Sequence, residues 1–487
     1  MKIVLINPRL RIWSPNIWVP LGLTYVAAVL ERDGHTITII DMNEKKIKID
    51  DLCSYLSNDV DLIGITGMIT ECQKILKIID ISKKTHPDRP LMLGGPLATT
   101  FPKQLLEQSE ADFIVIGEGE KTVPSLMKGI ENGLDLSKIN AIAYKKDGQV
   151  IINEASKPIE NLDTIPFPAR HLLDMNKYIK NHFKSFGLNL EGFDDIRSTN
   201  LSTSRGCPYN CIFCYKDVWG NKWRGRSAQN IIEEMDFLYE KYRINGFLFV
   251  DDTFVLDRKR IFEFTNLLKK SKKDYVWYCN GRVNLMQKDM LKSMREAGCV
   301  GIAYGIESGD QSTLDFMRKG ITIDQTKEVV KWTKESGINV AGYFMIGMLG
   351  ETKNTIYNTI NFAKELDLNF YGFSITTPMP GTELYECARK EGLIKEDISS
   401  FNGWDFDMNI NLTKDCTDDE LRAFKYETFK KFSLEKEFGR YFMLNPIFLK
   451  NVLKVIFSLR DKEELKEFVI NVNGILKKQL KNKKSKQ

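Results

Sequence analysis

Residues 204–214 read Ser204-Arg205-Gly206-Cys207-Pro208-Tyr209-Asn210-Cys211-Ile212-Phe213-Cys214. Three cysteines at CxxxCxxC spacing within one short segment have the look of a ligand set. The chain holds 9 cysteines in 487 residues, at spacings unlike a secreted disulfide framework, so reduced thiols are expected, with a few recruited by metal. Zinc normally takes four ligands, and the four histidines, His35, His86, His171 and His182, all lie away from this segment in sequence. A [4Fe-4S] cluster has four irons, so three thiolates leave one iron free to hold another molecule.

The segment begins where a strand candidate, Asn200 to Ser204, ends, and the same unit recurs downstream. Gly246 to Val250, Tyr275 to Cys279, Val300 to Gly305, Asn339 to Ile346 and Tyr371 to Thr376 each read as a strand followed by a helical stretch. Six consecutive βα units predict a partial (β/α)6 barrel over residues 196–400, with its ligands at the C-terminal strand ends. Upstream, Lys2 to Ile6, Thr36 to Ile40, Asp61 to Thr66, Leu91 to Leu93 and Phe113 to Ile116 also alternate with helical stretches. This predicts a doubly wound, Rossmann-like α/β domain over residues 1–135. Its ligand would sit at the strand ends, in loops starting at Asn7, Asp41, Gly67, Gly94 and Gly117. Between 136 and 195 the alternation fails: a hairpin turns at Asp147-Gly148, and Pro158, Pro166 and Pro168 follow, which reads as a linker. Residues 401–487 read as a helical C-terminal region with a basic tail.

Composition fits this plan. Hydrophobic residues make up 43% and charged residues 28%, as in a globular chain. No apolar run reaches the roughly 18 residues a membrane span needs, and the N-terminus lacks a signal-peptide core, so a cytoplasmic location is expected. The formal charge is +5, but residues 477–487 alone contribute six lysines and no acid. The body is therefore close to neutral, and a nucleic-acid partner is not expected.

Taken together, Cys207, Cys211 and Cys214, with the aromatic Phe213 before the last cysteine, resemble the signature of the radical S-adenosylmethionine (SAM) enzymes. The resemblance continues in barrel order through Val250-Asp251-Asp252, Arg282, Gly305-Ile306-Glu307-Ser308-Gly309, Gly347 to Glu351 and Pro378-Met379-Pro380-Gly381. It implies a [4Fe-4S] cluster on the three cysteines, whose open iron chelates SAM, and one-electron cleavage to a hydrogen-abstracting 5′-deoxyadenosyl radical. The implied SAM contacts are Phe213, Glu307, Ser308, Arg318 and Gly347. The first domain is similar to the cobalamin-binding domain of the cobalamin-dependent class. That likeness rests on Asn7-Pro8, Pro20-Leu21-Gly22-Leu23, Asp41, Gly94-Gly95-Pro96 and Gly117-Glu118-Gly119-Glu120. Pro8, Gly22, Asp41, Gly94, Gly95, Glu118 and Gly119 are the implied cobalamin contacts, the glycines because a wide, flat corrinoid can approach only a loop without bulk. The DxHxxG motif is absent, and Leu97 stands where relatives often carry histidine, so cobalt is expected to have no protein histidine.

Several of these residues also have an ordinary structural reading. Asp251 and Asp252 suit a helix N-terminus, Gly347 and Gly350 a turn, and Arg226 and Arg318 a surface pair instead of the cofactor carboxylate. The function the resemblance implies is methylation of an unactivated carbon under anaerobic conditions. A radical cyclase of the anaerobic oxidative type is the alternative, and a transfer-RNA methylthiotransferase is a weaker one, since only Cys53 and Cys72 precede the cluster segment. An electron donor such as flavodoxin or ferredoxin is implied. The substrate is a small molecule or a lipid. From Ile447 to Leu459 a broad apolar helical face either packs on the barrel or, with the lysine tail, touches an anionic membrane.

Overall fold

The computed structural model describes residues 1–9, 17–183, 195–394, 410–413, 415–428 and 432. The apolar stretch 447–459 and the lysine tail lie outside them. The chain divides into two compact units, Met1–Asp418 and Asp419–Gln487. In the second, the described helix ends at Thr428. No helix among the described residues is long and apolar enough to cross a membrane.

The larger unit holds two large sheets and a two-strand ribbon. The first contains β1 (Lys2–Asn7), β2 (Thr36–Asp41), β3 (Leu62–Thr66), β4 (Leu91–Gly94), β5 (Phe113–Val115), β6 (Ile142–Lys146) and β7 (Gln149–Ile152). Its order is β2-β1-β3-β4-β5-β6-β7. The first five strands are parallel, as their unbroken apolar runs require of a sheet covered on both faces. The order reverses between β1 and β3, which opens a crevice at their carboxyl ends. Beside that crevice the loop after β3 leaves Met68 47% exposed.

The linker read over 136–195 is corrected here. Its hairpin, β6 and β7, adds antiparallel to β5 and buries Ile142 and Ala143. A three-residue β5 would otherwise be a bare edge, so the first domain's sheet runs to Ile152. The remainder of the linker is a buttress. Tyr178 donates its hydroxyl to Asp41 at 2.5 Å, and Arg170, 1% exposed, pairs with the fully buried Glu234 of the helix Ala228–Tyr242 at 2.5 Å.

The second sheet contains β8 (Ser198–Leu201), then, past the two-strand ribbon of β9 (Ser204–Arg205) and β10 (Arg224–Gly225), β11 (Gly246–Phe249), β12 (Val276–Gly281), β13 (Cys299–Glu307), β14 (Asn339–Ile346) and β15 (Phe370–Ile375). Its order is β15-β14-β13-β12-β11-β8 and every pairing is parallel. The two end strands do not pair, so the barrel stays open. Alternation decides the faces. Phe249 and Trp277 point outward and pack with Phe254 and Phe264, with Phe249 stacked on Phe254 at 4.6 Å between centroids, and Phe247 on the same face meets the Tyr275 ring edge-on at 5.2 Å. Leu248, Tyr278, Ala303 and Ala341 form the inner face, filled from below by Phe183 and Trp18. Ser227, Asp257, Asp310, Thr322, Thr352 and Thr382 start the outer helices, each side chain accepting from a backbone N–H of the first turn.

Candidate cofactor sites at the junction of the two sheets

The cysteine segment leaves the β9–β10 ribbon at the C-terminal end of the barrel. Gly206 has φ +79°, and a Cβ there would lie 2.4 Å from the Lys222 carbonyl oxygen, so only glycine allows the chain to turn into Cys207. Two backbone bonds pin the middle of the loop, from Ile212 N–H to the Met317 carbonyl (3.2 Å) and from Leu384 N–H to the Ile212 carbonyl (2.9 Å). Cys207 Sγ lies 3.7 Å from Thr253 Oγ1. Cys211 accepts from Arg282 Nη1 at 3.7 Å, and the Arg282 guanidinium stacks 3.7 Å from the Tyr209 ring centre. A hydrogen bond from Cys214, with Lys319 and Arg282 nearby, draws the Cys211 thiol down to about 5 against the opposing effect of its burial. Cys214 is raised because it gives that hydrogen.

This donor set fits a cluster. Three thiols sit on one rigid loop, one already favoured as thiolate, with buried donors aimed at two of the sulfurs. Among the described residues no three His, Cys, Asp or Glu side chains converge on one metal ion; a cubane instead asks each thiolate to reach a different iron.

Of the SAM contacts read from sequence, Phe213 and Glu307 come together. Glu307 ends β13 at φ +65°, where the register with β14 shifts, and its carboxylate pairs with Lys319 Nζ at 2.7 Å. Lys319 Nζ is 5.8 Å from the Phe213 ring centre. Gly305 leaves room for this pair, since a Cβ there would meet Glu307 Oε1 at 2.4 Å and Lys319 Nζ at 2.8 Å. Gly347, at φ +81°, opens the loop after β14, closed by Glu351 accepting from Met348 N–H at 2.8 Å; burial pushes that carboxyl up to about 7.

Two of the residues expected at SAM have protein partners here. Arg318 forms a bidentate pair with Glu383, both bonds 2.7 Å, on the surface. Ser308 is fully buried and bonded to Thr359 Oγ1 at 2.9 Å. The open alternatives for Arg226 and Asp251 close toward structure. Arg226 joins Arg170 on the buried Glu234, and Asp251 accepts from Thr203 N–H (2.6 Å), Thr203 Oγ1 (2.5 Å) and Ser204 N–H (2.7 Å), tying β8 to the loop after β11.

In the first domain the glycines separate. A Cβ on Gly22 would meet nothing within 4 Å, on Gly94 only Val115 at 3.9 Å, and on Gly117 only the Val218 carbonyl oxygen at 3.8 Å. Open space at two strand ends and at the first turn of the helix Leu21–Arg32 suits a broad, flat ligand. Gly95, φ +89°, instead makes a tight backbone approach, with Thr66 Oγ1 at 2.9 Å of its would-be Cβ. Pro8 is buried and its carbonyl accepts from Asn43 at 2.9 Å. Three of the residues expected at cobalamin are engaged within the protein. Gly119 gives clearance between helices, its would-be Cβ 3.0 Å from Val26. Asp41 is 2% exposed and satisfied by Asn7, Asn43 and Tyr178. Glu118 accepts from Arg205 at 2.9 Å and Arg224 at 2.8 Å, beside the buried Arg205–Glu120 pair, so it clamps the first domain to the ribbon that carries the cysteines.

Tyr215, Thr253 and Lys319 carry no motif of their own in the sequence. Tyr215 follows Cys214 directly, and its hydroxyl touches Thr100 Oγ1 (2.8 Å) and donates to the Pro96 carbonyl (3.2 Å). One residue thus joins the cysteine loop to the Gly94-Gly95-Pro96 loop of the other sheet. Adjacency to Cys214 and to Arg318 is the only sequence signal for Tyr215 and Lys319.

Comparison with known proteins agrees with this layout. The B12 binding domain model matches residues 10–127 and the Radical SAM superfamily model residues 201–363. An uncharacterized methyltransferase from Pyrococcus horikoshii is 33% identical over 441 residues, 89% of this chain and 90% of that protein. The anaerobic magnesium-protoporphyrin IX monomethyl ester cyclase of Rubrivivax gelatinosus is 27% identical, covering 91% of this chain and 79% of its own. The cobalamin-dependent SAM radical enzyme OxsB, solved with aqua-cobalamin and SAM bound, superimposes with a TM-score of 0.72 at 18% identity, over 96% of this chain and 70% of its own.

Proposed function

Because the chain belongs to the radical SAM enzymes that carry a B12-binding domain, with a [4Fe-4S] cluster, SAM and cobalamin as cofactors, we propose that it methylates an unactivated carbon. The observation that carries this reading is the Tyr215 bridge. It brings the loop of Cys207, Cys211 and Cys214 within one residue of the glycine loop of the first sheet, so a substrate held between them faces both centres. The full-length likeness to a methyltransferase supports the same choice. When bound, the cofactors would supply a hydrogen-abstracting radical and a transferable methyl group.

The chain's own residues do the positioning. Cys207, Cys211 and Cys214 hold the cluster. Glu307, paired to Lys319, would take the amino group of SAM, with Phe213 beside the pair. Gly347 would let the adenine approach the backbone. Gly22, Gly94 and Gly117 leave space for the corrin edge. Val250 and Tyr343, 46% and 37% exposed on the barrel's inner face, line the substrate space. We read the enzyme as working anaerobically in the cytoplasm, reduced by a flavodoxin or ferredoxin, on a small molecule or lipid and not on nucleic acid. A cyclase reading is favoured by the likeness to anaerobic magnesium-protoporphyrin IX monomethyl ester cyclases such as the Rubrivivax enzyme.

The two are separated by SAM labelled in its methyl group, supplied with reductant and cobalamin to the anaerobic enzyme. Methyl transfer predicts S-adenosylhomocysteine alongside 5′-deoxyadenosine, with label leaving SAM for cobalamin and product. 5′-Deoxyadenosine alone would favour cyclisation. Alanine at Cys207, Cys211 and Cys214 should abolish both products.

A further inference from the structure

Arg282, directly after β12, is 7% exposed. Its Nη1 donates to Cys211 Sγ. Tyr209, from within the cysteine loop, stacks on it. Its Nε and Nη2 have no partner among the described residues, and none of the carboxylates described there pairs with it. A buried guanidinium without a counter-ion is costly, so the site is built to receive negative charge beside Cys211.

Thr253, 4% exposed, has its hydroxyl 3.7 Å from Cys207 Sγ, and once Cys207 is a thiolate only the hydroxyl can donate. Two of the three sulfurs thus have a buried donor, one of them cationic. Reduction of a [4Fe-4S] cluster adds one electron and no proton, making the site more negative by one charge. Positive charge and hydrogen bonds at the ligand sulfurs favour that state. We infer that Arg282, assisted by Thr253, raises the reduction potential of the cluster and so sets how readily an external low-potential flavin or iron–sulfur protein delivers its electron. This rests on the three cysteines holding a cluster.

The test is a redox titration of the anaerobically reconstituted full chain, with the reduced cluster followed by electron paramagnetic resonance. At a fixed applied potential, Arg282→Met should lower the reduced-to-oxidised ratio at least tenfold, which is ~59 mV for one electron. Thr253→Val should shift it less in the same direction, and Arg282→Lys, which keeps the charge, should fall between Arg282→Met and the unmodified enzyme. An unchanged midpoint in Arg282→Met with full iron content overturns the inference, and so does a loss confined to SAM affinity. If Arg282→Met takes up no cluster, unchanged midpoints in both Arg282→Lys and Thr253→Val overturn it. A wild-type chain that binds no cluster would instead defeat the reading of the cysteines.

Discussion

At the scale of single residues, adjacent cations have opposite assignments. Arg318 and Lys319 are neighbours in sequence, yet Arg318 reaches the surface carboxylate of Glu383 while Lys319 turns inward to Glu307. The left-handed φ of Arg318, +52°, reverses the chain between them. Arg318→Ala should therefore leave SAM affinity within about twofold, since an exposed pair contributes little. Glu307→Gln removes a charge-assisted partner, typically ~1.5–3 kcal/mol, and should weaken SAM binding by roughly tenfold or more. Calorimetric titration of the cluster-loaded protein checks both; equal losses would return Arg318 to the site. The signature cysteines are legible in the sequence because their spacing is itself the chemistry. The partners of Arg318 and Glu118, and Asn7 and Tyr178 at Asp41, are not, because each lies 34 or more residues away.

At the scale of elements, strand ends matter more than strand centres. The turn after β14 holds Glu351, 3% exposed, where burial raises its carboxyl from the ordinary 4.5 to about 7. Glu71, in the turn after β3, is raised in the same direction to about 6 by burial. An acid whose folded pKa lies above its unfolded value contributes stability that is complete below about pH 4.5 and lost as pH rises through the folded value. For Glu351 that contribution is on the order of 3 kcal/mol, at about 1.4 kcal/mol per unit. The melting temperature should fall between pH 5 and 8, and Glu351→Gln should flatten the fall without abolishing it, because Glu71 remains. A melting temperature that rises over this interval would contradict the assignment. The strands themselves are readable from their apolar runs to within a few residues, since burial on both faces leaves no alternative composition.

At the scale of the whole molecule, the two sheets are locked by charge as well as by packing. Arg205 and Arg224 from the ribbon meet Glu118 and Glu120 from the first domain. Residues 17–20 reach across to the barrel, where the Val19 backbone and the Asn200 amide bond both ways, at 3.2 and 3.0 Å. The first domain also extends past its apparent end. A fragment of residues 1–135 lacks β6 and β7, leaving β5 as a bare edge, whereas residues 1–157 keep the pairing. The longer fragment should unfold cooperatively and at higher temperature in circular dichroism, and the shorter should aggregate or melt without a transition. The reverse order would show that the hairpin is an appendage.

The class of fold and the order of the two α/β domains are written in the sequence, as is the CxxxCxxC spacing of Cys207, Cys211 and Cys214. Apolar periodicity, glycine turns and ligand spacing are local properties, and each is complete within about ten residues. Which polar groups are consumed in holding the sheets together is settled by the fold in space. Asp41, Glu118 and Ser308 all stand at strand ends where a ligand was expected, and each is buried against a protein partner. A carboxylate or hydroxyl is equally suited to a ligand or to a distant arginine, tyrosine or threonine, and the chain's path in space decides which of them comes within bonding distance.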